Sequence, residues 1–175
     1  GIKALVHKDY RVVVYPVWTE DIEPCQQLVS EIDSKDVILL NHAYDANELA
    51  SLMEKAHMSI NFKLHANVLS ASYGKPFVSL AYGLKCYDFA DSIDSLDLLI
   101  FADELNAEGI LAKVEYIEEN YAQLQERFER HTDWYRAQQL DFMNRLVDMV
   151  TDNRNSLANQ LEQGCKGKES EGTIF

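Results

Sequence analysis

The sequence predicts an α/β fold, a Rossmann-like parallel sheet of about five strands flanked by helices, with long helices after it. Three observations carry this. Five short apolar runs alternate with helical patterns through residue 103. The runs are almost continuously apolar and rich in Val, Ile and Phe, as strands buried on both faces are. The segments between them are long enough for crossover helices, which parallel pairing requires. This βαβα order predicts a doubly wound sheet with right-handed crossovers.

The runs are RVVVYPV at 11–17, DVILLN at 36–41, MSINF at 58–62, PFVSLAY at 76–82 and LDLLIFA at 96–102. Between the first two, EDIEPCQQLVSEI sets Ile22, Cys25, Leu28, Val29 and Ile32 on one helical face, and Pro24 is tolerable in a first turn. DANELASLMEKA opens with Asp45 and carries Glu48 three positions on, the signature of a reciprocal capping box. LHANVLSASYG ends in Gly74, suited to the left-handed conformation after a helix, and Pro76 follows. KCYDFADSI is short and offers Tyr87 or Phe89, with Ala90 and Ile93, to the sheet.

From Asn106 only helical periodicity remains. Leu111, Val114, Ile117, Tyr121, Leu124 and Phe128 form a stripe that Trp134, Leu140, Met143, Leu146, Val147 and Val150 continue less regularly. Two helices are expected, broken between residues 118 and 131, with the stripe buried against the sheet, an absent half or another subunit. The composition from Gly164 cannot build a core, so a disordered tail is expected there. The expected domains are 1–103 for the α/β part, 104–163 for the C-terminal helices and 164–175 for the tail. GIKALVHKDY reads as the end of a helix feeding directly into a strand, which suggests a fragment of a longer protein.

Composition narrows the function. The 175 residues, 47% hydrophobic, can fill one core. The net charge of −13 is spread along the chain, which disfavours nucleic acid and anionic lipid. A small anion stays compatible, because a local cluster of donors outweighs distant screened charges. Cys25, Cys86 and Cys165 form no metal or redox motif, so a reduced, cytoplasmic protein is the plain reading. No apolar run is long enough to span a bilayer, although peripheral association stays open. The phosphate loops GxGxxG and GxxxxGK[ST], the GxSxG elbow and HExxH are all missing, and the five histidines are scattered without metal-ligand spacing.

In open α/β sheets ligands bind where strands end at their carboxyl edge. The turn after the third run holds Lys63, Leu64 and His65 at a helix start, where free amides and the helix dipole favour an anion. Lys63 adds a full charge, and the imidazole can donate a hydrogen bond or move a proton near neutral pH. A solvated lysine and a backbone-bonded histidine is the competing reading. Against it, a cation at a helix start is unfavourable unless something anionic offsets it. The turn after the fourth run adds Tyr82 and Lys85 on the same rim if the two strands are neighbours. Asn41, His42 and Tyr44 follow the second run, within reach of a sugar or nucleotide, but are read as ordinary turn residues. Trp18 follows the first run, where it suits a sugar face or an interface equally, and Asp21 and Glu23 suit a helix start.

The segment ELASLMEKAHMSINFKLHANVLSASYGKPFVSLAYGLKCYDFADSI, within residues 47–93, resembles the C-terminal half of the polysaccharide pyruvyl transferase family, and a looser likeness covers 12–150. An Arg-Leu-His-Ala type turn, a helix with small residues, G-x-P before a strand and Tyr-x-x-Lys occur in the family's order. The resemblance implies a transferase moving a pyruvyl group from phosphoenolpyruvate, as donor substrate and without a cofactor, to a sugar of a cell-surface polysaccharide or its precursor. It implies that His65 is the catalytic motif histidine and that Lys63 stands for the usual arginine, both holding the donor. Lys85 matches the lysine after the fourth strand, and Leu64 and Tyr82 complete the donor-binding set. It further implies one half of a glycosyltransferase-like architecture of two Rossmann-like domains, with the N-terminal half missing; the cytoplasmic location expected from the cysteines fits it, with peripheral contact to the inner face of the membrane allowed. A homo-oligomer through the C-terminal helices is a further expectation. A lysine is a point charge where an arginine grips bidentately, so position 63 departs from the pattern. The alternatives are a nucleotide-sugar-binding glycosyltransferase half and a non-catalytic binding or assembly module.

Overall fold

All five apolar runs form strands, each shorter than its run: β1 Val12–Val14, β2 Val37–Leu39, β3 Ser59–Asn61, β4 Phe77–Ala81 and β5 Leu99–Phe101. The structure is a computed structural model that describes the backbone of residues 1–42 and 44–169 and the side chains through residue 154. Helices α1 Ile2–His7, α2 Ile22–Ile32, α3 Ala46–Lys55, α4 Leu64–Ser72 and α5 Leu84–Ser92 alternate with the strands, and α6 spans Ala107–Glu169. The chain divides into two units, Gly1–Thr132 and Asp133–Phe175.

Every strand pair is parallel, as expected, but the five strands do not form one Rossmann sheet. β1 pairs only with β2, and β3, β4 and β5 form a separate three-stranded sheet in that order. The physical reason lies just beyond β1, where the chain runs Tyr15-Pro16. Proline has no N–H to give a ladder. The junction to β3 is instead a side-chain contact, in which the Tyr15 hydroxyl donates to Asn61 Oδ1 at 3.0 Å. Among the described residues nothing links the fold to a two-Rossmann-domain architecture.

The caps follow the sequence closely. Asp45 accepts from the amides of Asn47 and Glu48 at 2.8 and 2.9 Å, and Glu48 Oε2 accepts from the Asp45 amide at 2.9 Å. Gly74 has φ +63°, and the amides of Gly74 and Lys75 donate to the carbonyls of Ala71 and Ser70 to close α4. A Gly74→Ala chain is expected to lose about 1 kcal/mol, since an L side chain in the left-handed region is strained. Thermal unfolding would show this as a drop of a few degrees.

Of the two aromatics offered to the sheet by α5, Phe89 packs on the core beside Ile93, while Tyr87 stays 39% exposed. On α2, Leu28 is also exposed, whereas Ile22, Cys25, Val29 and Ile32 are half-buried. The main core gathers Phe77, Val78 and Ile100 from the three-stranded sheet and Leu98 just before β5 with Leu5 of α1 and Val114, Ile117, Leu124 and Phe128 of α6. The stripe is therefore buried on the sheet through Phe128.

The expected break in the C-terminal helix is at Asn120, whose φ of −119° and ψ of 18° are non-helical. Its side-chain Nδ2 donates to the Tyr116 carbonyl at 2.8 Å, the acceptor that an unbroken helix would offer to its backbone N–H. The helix runs on to Glu169, past the Gly164 where a tail was expected to begin, and residues 170–175 lie outside the described residues.

Candidate functional site

Three strand-to-helix turns meet at the carboxyl edge of the strands, and their contacts define the site. Because β3 and β4 are paired neighbours, the turns after them share one rim. Phe62 and Tyr82 stack across the two turns with centroids 5.2 Å apart. The turn after β1 reaches the same place, since Trp18 meets the His65 ring edge to face at 6.0 Å and Asp21 meets Lys63.

Lys63 is the residue that precedes α4, and no side chain caps that helix start. Its Nζ lies 3.0 Å from Asp21 Oδ1, with both side chains largely shielded. Asp21 Oδ2 also accepts the backbone N–H of Trp18 at 3.0 Å. One carboxylate therefore fixes its own turn and ties it to the turn after β3. This is the anionic offset that a cation at a helix start requires. The arrangement leaves the first amides of α4 uncapped beside a lysine shared with an internal carboxylate.

His65 is exposed and Leu64 half-buried. The Leu64 side chain packs on Ala81, Cys86, Ala90 and Leu99, so only its backbone amide is left to face a ligand. Lys85 is exposed in the first turn of α5, with Nζ 4.9 Å from the Tyr82 ring centre. Hydrogen bonding to Tyr82 holds its ammonium above the ordinary lysine pKa. The two rim lysines thus engage different partners, Lys63 turning to Asp21 and Lys85 to Tyr82. After β2, His42 lies 3.2 Å from Asn41 Oδ1 and stacks on Tyr44 at 3.9 Å, so these turn residues engage one another.

Beneath the rim is a buried polar network. Asn61 Nδ2 donates to Ser59 Oγ at 2.8 Å and Ser70 Oγ at 3.1 Å, while its Oδ1 accepts from Tyr15. Burial pushes the Tyr15 phenol well above its ordinary pKa, keeping it a neutral donor. One turn into α4, Asn67 Nδ2 donates to Ser79 Oγ at 2.7 Å, joining the helix to β4. These bonds hold α4, and hence Lys63 and His65, in fixed register with both strands. Among the described residues no three His, Cys, Asp or Glu side chains are grouped to hold a metal. No described helix is long and apolar enough to cross a membrane.

With α4 and its rim in place, the comparison with known families bears on the first 83 residues. Residues 1–83 match the polysaccharide pyruvyl transferase family model. The match takes in the turns bearing Trp18, Asp21, Lys63, His65 and Tyr82 and ends two residues before Lys85. It overlaps the segment whose motifs resemble this family and takes in β1 and α2, which lie within the looser likeness. No curated protein and no solved structure matches the chain.

Asp21 and Tyr15 are the residues that sequence reasoning missed. Asp21 was accounted for as a helix-start acid, and nothing local in the sequence pairs it with a lysine 42 positions on. Ser59 and Asn61 did carry a signal, because residues two apart in a strand share a face, so two polar side chains there point into the core together.

Proposed function

We propose that this chain is the donor-binding half of a pyruvyl transferase-like enzyme, which transfers a pyruvyl group from phosphoenolpyruvate to a sugar of a cell-surface polysaccharide or its precursor. The observation that carries the reading is the meeting of Lys63, His65 and the uncapped α4 amides on one rim, inside the stretch that matches the family. Lys63, the amides of Leu64 and His65, and Lys85 would neutralise the donor's carboxylate and phosphate. Tyr82 orients Lys85. His65 is the proton donor, either to the leaving phosphate or to the enol methylene.

The overall chemistry balances. Forming a ketal removes two hydroxyl protons from the acceptor; one converts the donor methylene to methyl, and the other leaves with inorganic phosphate. No redox step is needed. On this reading the chain works in the cytoplasm, free or at the inner face of the membrane, with a second half supplying the acceptor site.

The Lys63–Asp21 ion pair favours a second reading, a binding module in which Lys63 is structural. Calorimetric titration of the chain with phosphoenolpyruvate, inorganic phosphate and a nucleotide diphosphate sugar separates the possibilities. Saturable phosphoenolpyruvate binding, abolished by His65→Ala together with Lys63→Met, is the expected result. Binding of the nucleotide sugar alone would move the site to a glycosyltransferase, and binding of none of the three would favour the module.

A further inference from the structure

Residues 133–154 of α6 carry a second kind of surface. Leu140, Met143, Val147 and Val150 recur at spacings of three, four and three, the period of a coiled-coil seam; Leu146 flanks them, and Phe142 lies farther round the helix. All six are 42–64% exposed. Asp141, Asn144, Arg145, Asp148 and Asp152 occupy the other side of the helix by the same periodicity. An apolar stripe of this size is unusual on a monomer.

We propose that this face pairs with the same face of a second copy of the chain. Three observations favour that occupant. The seam has the three-four period that lets helices interlock, whereas a bilayer sets no such requirement. Two arginines are held within the helix itself, since Arg145 pairs with Asp141 at 3.0 Å and Arg136 with Asp133 at 3.5 Å. A helix that lies on anionic lipid needs a basic polar face, and this one carries Asp141, Asp148 and Asp152. The exposed area of the four seam residues and Leu146 is on the order of 500 Å² per copy, so a pair buries at most about 1,000 Å², the size of a weak interface. Such an interface is modest, so reversible association is expected.

Sedimentation velocity of the whole chain between about 1 and 100 μM tests this. The expected result is a concentration-dependent rise from the 20.0 kDa chain mass toward twice that mass. Leu140→Glu with Val147→Glu should hold the chain at 20.0 kDa over the whole range while the melting of the α/β unit is unchanged. The milder Leu140→Ala with Val147→Ala should weaken association at least tenfold, which guards against misfolding of the charged variant. A chain that stays at 20.0 kDa throughout, or whose association both variants leave intact, overturns the proposal. So does a monomer that floats with phosphatidylglycerol vesicles, because that would assign the face to a bilayer.

Discussion

Lys63→Met is expected to weaken phosphoenolpyruvate binding by about 10- to 100-fold, the loss that follows from removing one charge-assisted hydrogen bond. Asp21→Asn should act the other way. The carboxylate lies 3.0 Å from Lys63, so an incoming anion must share the lysine with a fixed negative charge. Asparagine keeps an oxygen to accept the Trp18 amide, so the turn retains its hydrogen bond while the competing charge disappears. Tightening of about three- to tenfold is expected at low salt, shrinking as ionic strength rises. The stability cost of losing this partly shielded pair should stay within about 1 kcal/mol. Calorimetry of both variants at two salt concentrations reads the signs directly. If Lys63→Met binds like the parent chain, the donor site is elsewhere. If Asp21→Asn weakens binding as much as Lys63→Met does, Asp21 orients the lysine rather than competing for it.

This ion pair also bears on why a lysine stands where the family resemblance expects an arginine. A guanidinium can hold Asp21 and a ligand through separate N–H groups, whereas an ammonium on its flexible stem is a single point of charge. Lys63→Arg is the variant that would grip both, and the Asp21 contact is the geometric reason.

The rim was legible where the information is local. A helix start, its capping residues and the cations beside it are written within four or five positions, and Asp45, Glu48, Lys63 and Gly74 all have the local structure that their neighbours imply. What was not legible depends on pairs far apart. The Asp21–Lys63 and Tyr15–Asn61 contacts join turns and strands that only the folded sheet brings together. The division into two sheets is of the same kind. Apolar runs identify the strands, but whether β1 and β3 exchange backbone bonds depends on the local course of Tyr15-Pro16, which hydropathy does not encode. Periodicity likewise finds the long helical stripe without saying where its burial stops. Phe128 and Leu140 satisfy the same pattern, yet the first is fully buried and the second is 64% exposed.

That contrast leads to the largest stability effect expected. Phe128 has no exposed surface and stacks on Phe77 at 5.2 Å, so it joins α6 to the centre of the three-stranded sheet. Truncation to alanine removes the aromatic burial and leaves a cavity that the neighbouring Val78 and Leu124 can only partly fill. The cost for a buried phenylalanine is about 3–5 kcal/mol. That is a large fraction of the total stability of a domain this size, and a fall in Tm of roughly 10–20 °C follows. Leu140→Ala deletes a side chain of comparable volume from the same helix. Measured on dilute protein, it should shift the melting of the α/β unit by less than about 0.5 kcal/mol, because that side chain is already in water. Calorimetric melts of the two variants at 1 μM supply the comparison. A Phe128→Ala chain that melts with the parent would mean that the stripe does not anchor α6 to the sheet. A large loss from Leu140→Ala at that dilution would mean that position 140 is buried within a single chain.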